Sequence, residues 1–302
     1  MEDLSVVVLN WNATADTVRC VQEIVSWSHV AATVWVVDNA SRDCQVDALS
    51  LTLAAFPNVR LVRNASNLGF GGGNNRGMEQ ALATGDAPLF LLNNDAEIAE
   101  QDIMQLLATL ENNRQVGCVG PLLFDRHQPD RLLSAGGRDI SRHIQTHITQ
   151  IGPGPLQQVD YVPGTAILIR AEVLRQVGLL DEAYFFSGEI ADLCERVRGK
   201  GYECVIDTHA RVFHERHTEL DRTEALRTYY SIRNRFLFIK KFRSALRSVV
   251  WVTYAAMMSV SASMRGERLR ARAIRLAIVD GVRGRFGGQN ERVLAMTVGG
   301  DT

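Results

Sequence analysis

The sequence predicts an α/β protein built on a doubly wound, mostly parallel sheet, and three observations predict it. Four apolar runs end abruptly in polar residues: 5–12 (SVVVLNWN), 34–41 (VWVVDNAS), 59–64 (VRLVRN) and 89–95 (LFLLNND). Strands buried on both faces read as such continuous apolar runs. Segments with helical patterning separate them, which is the alternation of a parallel sheet. In open sheets of this kind ligands bind beyond the carboxyl ends of the strands. Four polar tips at one edge therefore describe a candidate site, although Asn and Asp are also ordinary turn residues.

The elements follow in order. MEDLSVVVLN enters the first strand at once, without the basic region of a signal peptide. After the third strand, 67–77 (NLGFGGGNNRG) carries a glycine run that permits close backbone approach and positive φ. It resembles a phosphate loop but fits neither GxGxxG nor the P-loop pattern. The alternative is a tight loop before a helix, with Asn74 as its cap. Ile103, Leu106, Leu107 and Leu110 mark a helix over 101–112, and 116–124 reads as a strand. The polar, His-rich stretch 124–160 reads as an excursion, a hairpin over the sheet. YVPGTAILIR (161–170) is a turn and a strand, 171–177 a short helix stopped by Gly178, and 190–200 a helix stopped by Gly201. Two short strands are expected over 204–207 and 211–214. From Thr223 onward the chain reads as helical.

The composition, 46% apolar and 22% charged, is that of a globular protein. The formal net charge of −1 hides an asymmetry, because 233–292 holds 14 Lys+Arg against 3 Asp+Glu. Basic tails meet nucleic acid or anionic membrane surfaces. The segment 248–264 is uncharged and mostly apolar between Arg247 and Arg265, at or below the roughly 20 residues of a span. It is expected to be an interfacial helix with basic flanks. A spanning helix and a buried core helix are the alternatives. These features favour an anionic membrane surface as partner over nucleic acid. Cys20, Cys44, Cys118, Cys194 and Cys204 lack zinc spacing and any disulfide framework, so reduced thiols are expected.

Several side chains suggest chemistry. A hard carboxylate at the tip of 89–95, Asp95, can hold a divalent ion against a diphosphate. Asp38 and Asn39 fall where a nucleobase or ribose crosses such a sheet edge. His214, at a strand end, is either a structural histidine or a second ligand. With Asp95 it would give an N/O set suited to Mg2+ or Mn2+. Glu189 and Asp192 open a helix one turn apart. The macrodipole favours acids there. The functional reading is a general base that takes the proton from an acceptor hydroxyl.

Taken in order, NWN, VVDNAS, NLGFGGGNNRG, LLNND, PGTAILIR, the GE-x-x-DLCxR helix and VFH resemble the family 2 inverting glycosyltransferases, in particular the bacterial rhamnosyltransferase-like group. The resemblance covers about 5–241, and AIVDGVRGRFG (277–287) resembles the end of such enzymes. It implies a GT-A type fold, a Rossmann-like sheet with flanking helices. A catalytic domain over 1–222 would divide into a nucleotide-sugar half (1–123) and an acceptor half (124–222), followed by a helical, basic region over 223–302. It implies transfer, with inversion, of a sugar from a dTDP-, UDP- or GDP-linked donor to a lipid-linked or polysaccharide acceptor. The expected location is peripheral, at the cytoplasmic face of the cell membrane. Leu9, Asn10, Asp38 and Asn67 would hold the nucleoside, with Asn12, Asn39, Gly69 and Asn94 among the donor-binding candidates. Asp95 and His214 would bind the metal, and Asn93 would lie near the ribose or donor sugar. Asp181 falls in the family's GxxDE segment facing donor and acceptor. Arg233-Asn234 matches a recurrent RN pair.

Two departures stand out. The family's DxD motif has Asn93 at its first position here. Its EDxDL motif reads Glu189-Ile190-Ala191-Asp192-Leu193, with Ile190 where the base usually lies. Either Glu189 or Asp192 takes that role, or the chain is a catalytically weak nucleotide-sugar-binding or scaffold protein. A sugar nucleotidyltransferase, with its early GxG and Arg, is disfavoured by NWN.

Overall fold

The computed structural model describes residues 2–214 and 221–298. The chain forms two compact units, one of 1–139, 145–180 and 190–216, the other of 140–144, 181–189 and 217–302.

In the first unit the predicted alternation is present as β1 (Glu2–Asn10), α1 (Thr14–Val25), β2 (Val30–Asp38), α2 (Asp43–Leu53), β3 (Val59–Arg63), α3 (Gly69–Thr84) and β4 (Leu89–Asn93). The strands pair in parallel in the order β3-β2-β1-β4. Val6, Val7, Val8, Phe90 and Leu91 are buried, as strands covered on both faces require. The order reverses between β1 and β4, where open sheets form their ligand crevice. Register sets Asn10 opposite Asp38, and Leu9 opposite Asn93, at the carboxyl edge.

The chain continues through β5 (Ala96–Glu97), α4 (Glu100–Asn112), β6 (Val116–Asp125), β7 (Leu132–Ser134), β8 (Leu156–Gln158), β9 (Ala166–Ile169), α5 (Ala171–Val177), α6 (Glu189–Gly199) and β10 (Glu203–His214). These extend the sheet as β4-β9-β6-β10-β5, and β9 lies antiparallel between β4 and β6. Within the excursion Gly137 bridges His147 in antiparallel fashion. The excursion adds β7 beside β6 and β8 beside β10. The two short strands expected near the end are one strand, β10, with a register shift between Asp207 and Arg211. Buried Asp207 sits at that irregularity. It accepts hydrogen bonds from Thr109 Oγ1 at 2.5 Å, Gln105 Nε2 at 2.9 Å and the His209 amide at 2.9 Å.

The glycine run is helix, not loop, because α3 begins at Gly69 and Asn74 is inside it, donating to Phe70 O. Its glycines bring the helix onto the sheet. A Cβ at Gly73 would stand 2.5 Å from Leu9 Cδ1, and one at Gly77 would stand 2.6 Å from Val7 Cγ1. Cys118, Cys194 and Cys204, far apart in sequence, converge with their sulfurs within 4.8 Å of one another in the core. Buried thiols of this kind pack as small apolar groups.

The second unit is helical: α7 (Asp221–Phe242), α8 (Ala245–Met264), α9 (Arg268–Arg283) and α10 (Asn290–Val298). Its core includes Tyr229, Phe236, Trp251, Ala255, Ile274 and Val293. Helix α8 contains the apolar segment and buries one stripe, Trp251, Ala255, Ser259 and Ala262. Only 22% of its apolar window is buried. Among the described residues it is one helix long and apolar enough to cross a membrane.

The RN pair organises this unit. Arg233 is fully buried and donates to Gly287 O at 2.6 Å, Tyr184 O at 2.9 Å and Asn234 Oδ1. Its guanidinium lies over the Tyr229, Tyr230 and Phe286 rings. Asn234 Nδ2 donates to the carbonyls of Tyr184, Phe186 and Ser187. The pair thus pins the segment leading from Asp181 to Glu189. Arg233→Met removes the donors and leaves buried carbonyls unsatisfied, at a cost of about 3 kcal/mol or more. The expected outcome is a thermal midpoint lowered by about 5 °C or more, read by circular dichroism.

Candidate active site

The carboxyl edge of β1, β2 and β4 is tied together by one chain of hydrogen bonds. Asn94 Nδ2 donates to Thr17 Oγ1 at 2.9 Å, and Thr17 donates to Asn10 Oδ1 at 2.8 Å. Asn10 Nδ2 donates to Asp38 Oδ1 at 2.8 Å and to Ser41 Oγ at 3.2 Å. Asp38 Oδ2 accepts from the Ser41 amide, and Ser41 Oγ accepts from the Asn12 amide at 2.8 Å. Asn10 and Asp38 are almost wholly buried. Buried polar groups are kept only when satisfied, and this edge meets that demand by fixing every side chain in one orientation. Asn12 adopts a left-handed φ of 55° and caps the Arg42 amide with Oδ1.

A second set flanks the first. Asn39 Nδ2 donates to Asn67 Oδ1 and Gly69 O, while its Oδ1 accepts from Asn64 Nδ2 and the Leu68 amide. Asn67 Oδ1 also accepts from the Gly69 amide at 2.8 Å. The donor-binding candidates Leu9, Asn10, Asn12, Asp38, Asn39, Asn67, Asn93 and Asn94 therefore lie on β1, β2, β4 or the segments that follow β1, β2, β3 and β4, and Gly69 opens α3.

Asp95 and His214 are brought together by strand pairing. β5 runs antiparallel to β10 with Ala96 opposite His214, which seats Asp95 beside the histidine. His214 Nε2 stands 3.2 Å from Asp95 Oδ1, and both side chains are about one-fifth exposed. Two donor atoms that close can share one cation with ligand bonds near 2.1 Å, as Mg2+ forms. The donor set, one carboxylate oxygen and one imidazole nitrogen, thus fits a small divalent ion that keeps other positions for phosphate oxygens and water. Asn93 is held by its amide, which donates to Thr165 O at 2.9 Å in the PGT turn.

That turn connects to α6. Ile190 is buried, and a Cβ at Gly164 would stand 2.9 Å from Ile190 Cγ1. The residue at the usual base position is thus a packing group. Asp192 is fully buried and accepts from Arg196 Nε at 2.8 Å. Arg196 also bonds the carbonyls of Val177, Gly178 and Leu179. Glu189 is 5% exposed at the first position of α6. Asp181 caps a short 3-10 turn by accepting from the Ala183 amide and pairs with Lys241 Nζ at 2.9 Å.

Sequence reasoning missed Thr17, Ser41 and Arg196. Ser41 stood in the VVDNAS tip, and Arg196 lies four residues beyond Asp192 on one helix face. Thr17, on α1, carried no signal.

The mixed sheet is of GT-A type, and the chain is a glycosyltransferase that uses a nucleotide-sugar donor. The chain belongs to glycosyltransferase-like family 2, whose family model matches residues 2–231. It is 25% identical over 266 residues to the low-salt glycan biosynthesis hexosyltransferase Agl10 of Haloferax volcanii, covering 86% of this chain and 83% of that protein. It is 26% identical over 280 residues to the N-acetylglucosaminyl-diphospho-decaprenol L-rhamnosyltransferase of Mycobacterium tuberculosis, covering 82% of this chain and 88% of that protein. The fold is similar to that of the mannosyltransferase PcManGT from Pyrobaculum calidifontis, solved with GDP-Man and Mn2+. The match has a TM-score of 0.62 and 13% identity over 93% of this chain and 87% of that one.

Proposed function

We propose that this enzyme transfers a hexosyl or rhamnosyl group, with inversion, from a nucleoside-diphosphate sugar to a hydroxyl of a lipid-linked acceptor at the cytoplasmic face of the membrane. The observation that carries the reading is the Asp95–His214 pair, with Asp95 two residues beyond the carboxyl end of β4. Asp38, Asn10 and Asn67 hold the nucleoside, and Asn93 and Asn94 the ribose and donor sugar. Asp95 and His214 hold Mg2+ or Mn2+, which when bound offsets diphosphate charge as that group leaves. Glu189 takes the acceptor proton, Asp192 positions α6 through Arg196, and Asp181 faces the acceptor. The lipid-linked acceptor is supported by the name of the mycobacterial relative, a diphospho-decaprenol rhamnosyltransferase.

The test is a donor screen with purified protein, Mn2+ and a panel of dTDP-, UDP- and GDP-sugars. Nucleoside diphosphate released from one donor class is expected. Tight donor binding without turnover on any member, with acceptor lipids supplied, would favour a binding protein instead.

The membrane assignment rests on α8. Leu246, Val249, Val250, Met257, Val260 and Met264 are each more than half exposed on it. Apolar insertion resists salt, whereas electrostatic attachment weakens with it. Sedimentation with anionic vesicles is expected to retain part of the protein at high salt, and Val249→Asp with Met257→Asp is expected to abolish that part. Failure to bind either anionic or neutral vesicles would overturn the assignment.

A further inference from the structure

The helical unit holds a cleft of about 130 Å³ whose lining includes Arg142, Arg235 and Arg247 together with Val250, Trp251 and Tyr254. None of the described lining residues is acidic. Three arginines line this small space, and a multivalent anion seated among them would accept charge-assisted hydrogen bonds from their guanidinium groups. The cleft is held in shape. Arg235 donates to Ile144 O at 2.9 Å, and its guanidinium lies 4.7 Å from the centre of the Trp251 ring. Trp251 is fixed by its Nε1 bond to Ile232 O and stacks on Tyr254.

An apolar track leaves this cleft. Val250 lines it, and Leu246, Val249, Met257, Val260 and Met264 repeat at helical spacing along the exposed side of α8. A 20-residue helix gives this track a length of about 30 Å. A compact cationic head joined to a long apolar strip is complementary to one class of molecule, an anionic diphosphate joined to a long hydrocarbon chain.

We propose that the cleft binds the diphosphate, and the α8 strip the first isoprene units, of the lipid carrier on which the acceptor sugar is built. The proposal rests on the reading of the acceptor as lipid-linked and names where its carrier is held. The concentration of three arginines at one point distinguishes it from general attraction to monoanionic phospholipid, which needs only dispersed basic charge.

The test is equilibrium binding of farnesyl diphosphate to the full chain, with EDTA present so that the metal site at the donor edge does not contribute. Arg142→Gln and Arg247→Gln are each expected to weaken binding about tenfold, the loss of one charge-assisted contact, with unchanged thermal unfolding. Leu246→Ser with Val249→Ser is expected to weaken farnesyl diphosphate while leaving inorganic diphosphate as it was. Arginine variants that bind like the wild type would overturn the proposal. So would equal affinity for farnesyl and inorganic diphosphate, which marks a plain anion site, or binding to phosphatidylglycerol vesicles alone. Wild-type donor turnover, measured alongside with acceptor lipids supplied, separates the two readings. Turnover without farnesyl diphosphate binding sinks the cleft only, and binding without turnover of any donor sinks the transferase only.

Discussion

Asp95→Ala is expected to lower turnover by three orders of magnitude or more and to remove the metal dependence of nucleotide binding. The reason lies in the pairing of β5 with β10. That pairing sets a carboxylate oxygen 3.2 Å from an imidazole nitrogen. No other carboxylate comes from the NND tip, since Asn93 and Asn94 are both neutral. Asp95 therefore supplies the whole anionic charge of the tip, and the imidazole of His214 carries no negative charge to replace it. Removing several kcal/mol of charge stabilisation at a leaving diphosphate accounts for a loss of this size. His214→Ala should cost less, about 10- to 100-fold, because the carboxylate remains. Calorimetric titration of nucleoside diphosphate with and without Mn2+ gives the readout independent of turnover. If EDTA leaves donor hydrolysis unchanged, the assignment of Asp95 and His214 to a metal is wrong.

Much of this site was legible in the sequence, for a physical reason. A strand buried on both faces can be polar only where it leaves the sheet, so Asn10, Asp38 and Asn93 announce both the strand end and the crevice. Other features depend on pairing that local pattern does not encode. AILI in β9 is as apolar as the parallel strands, yet it runs antiparallel between β4 and β6. The glycines of α3 read as a loop because glycine is a poor helix former. Only the approach to Leu9 and Val7 explains why a helix tolerates them. Likewise, the meeting of three cysteines and the bond from Thr17 to Asn10 arise from tertiary contact alone. Asp192 read as a candidate for acid–base work, and its salt bridge to Arg196 gives it a definite structural task.

That salt bridge bears on the second large effect, which is expected at Glu189. Glu189→Gln should reduce turnover by about 10²-fold or more while leaving donor affinity nearly intact, the size of a lost general base. Ile190 cannot replace it, because its side chain is buried against the Gly164 turn and accepts no proton. Asp192 is fully buried and engaged by Arg196, which in turn holds the carbonyls of 177–179. Asp192→Asn is therefore expected to act through the placement of α6. It should lower thermal stability, and any lost activity should return with Arg196 kept and the helix stabilised by lower temperature. Glutamate carries one methylene more than aspartate, enough to cover a shift of about one bond length from the usual base position. Kinetics and stability together separate the roles: Glu189→Gln should lower kcat without lowering thermal stability, and Asp192→Asn should lower thermal stability. Full activity in Glu189→Gln with loss in Asp192→Asn would transfer the role to Asp192. If neither substitution matters and no donor is turned over, the chain is a nucleotide-sugar-binding protein that keeps the donor edge without the reaction.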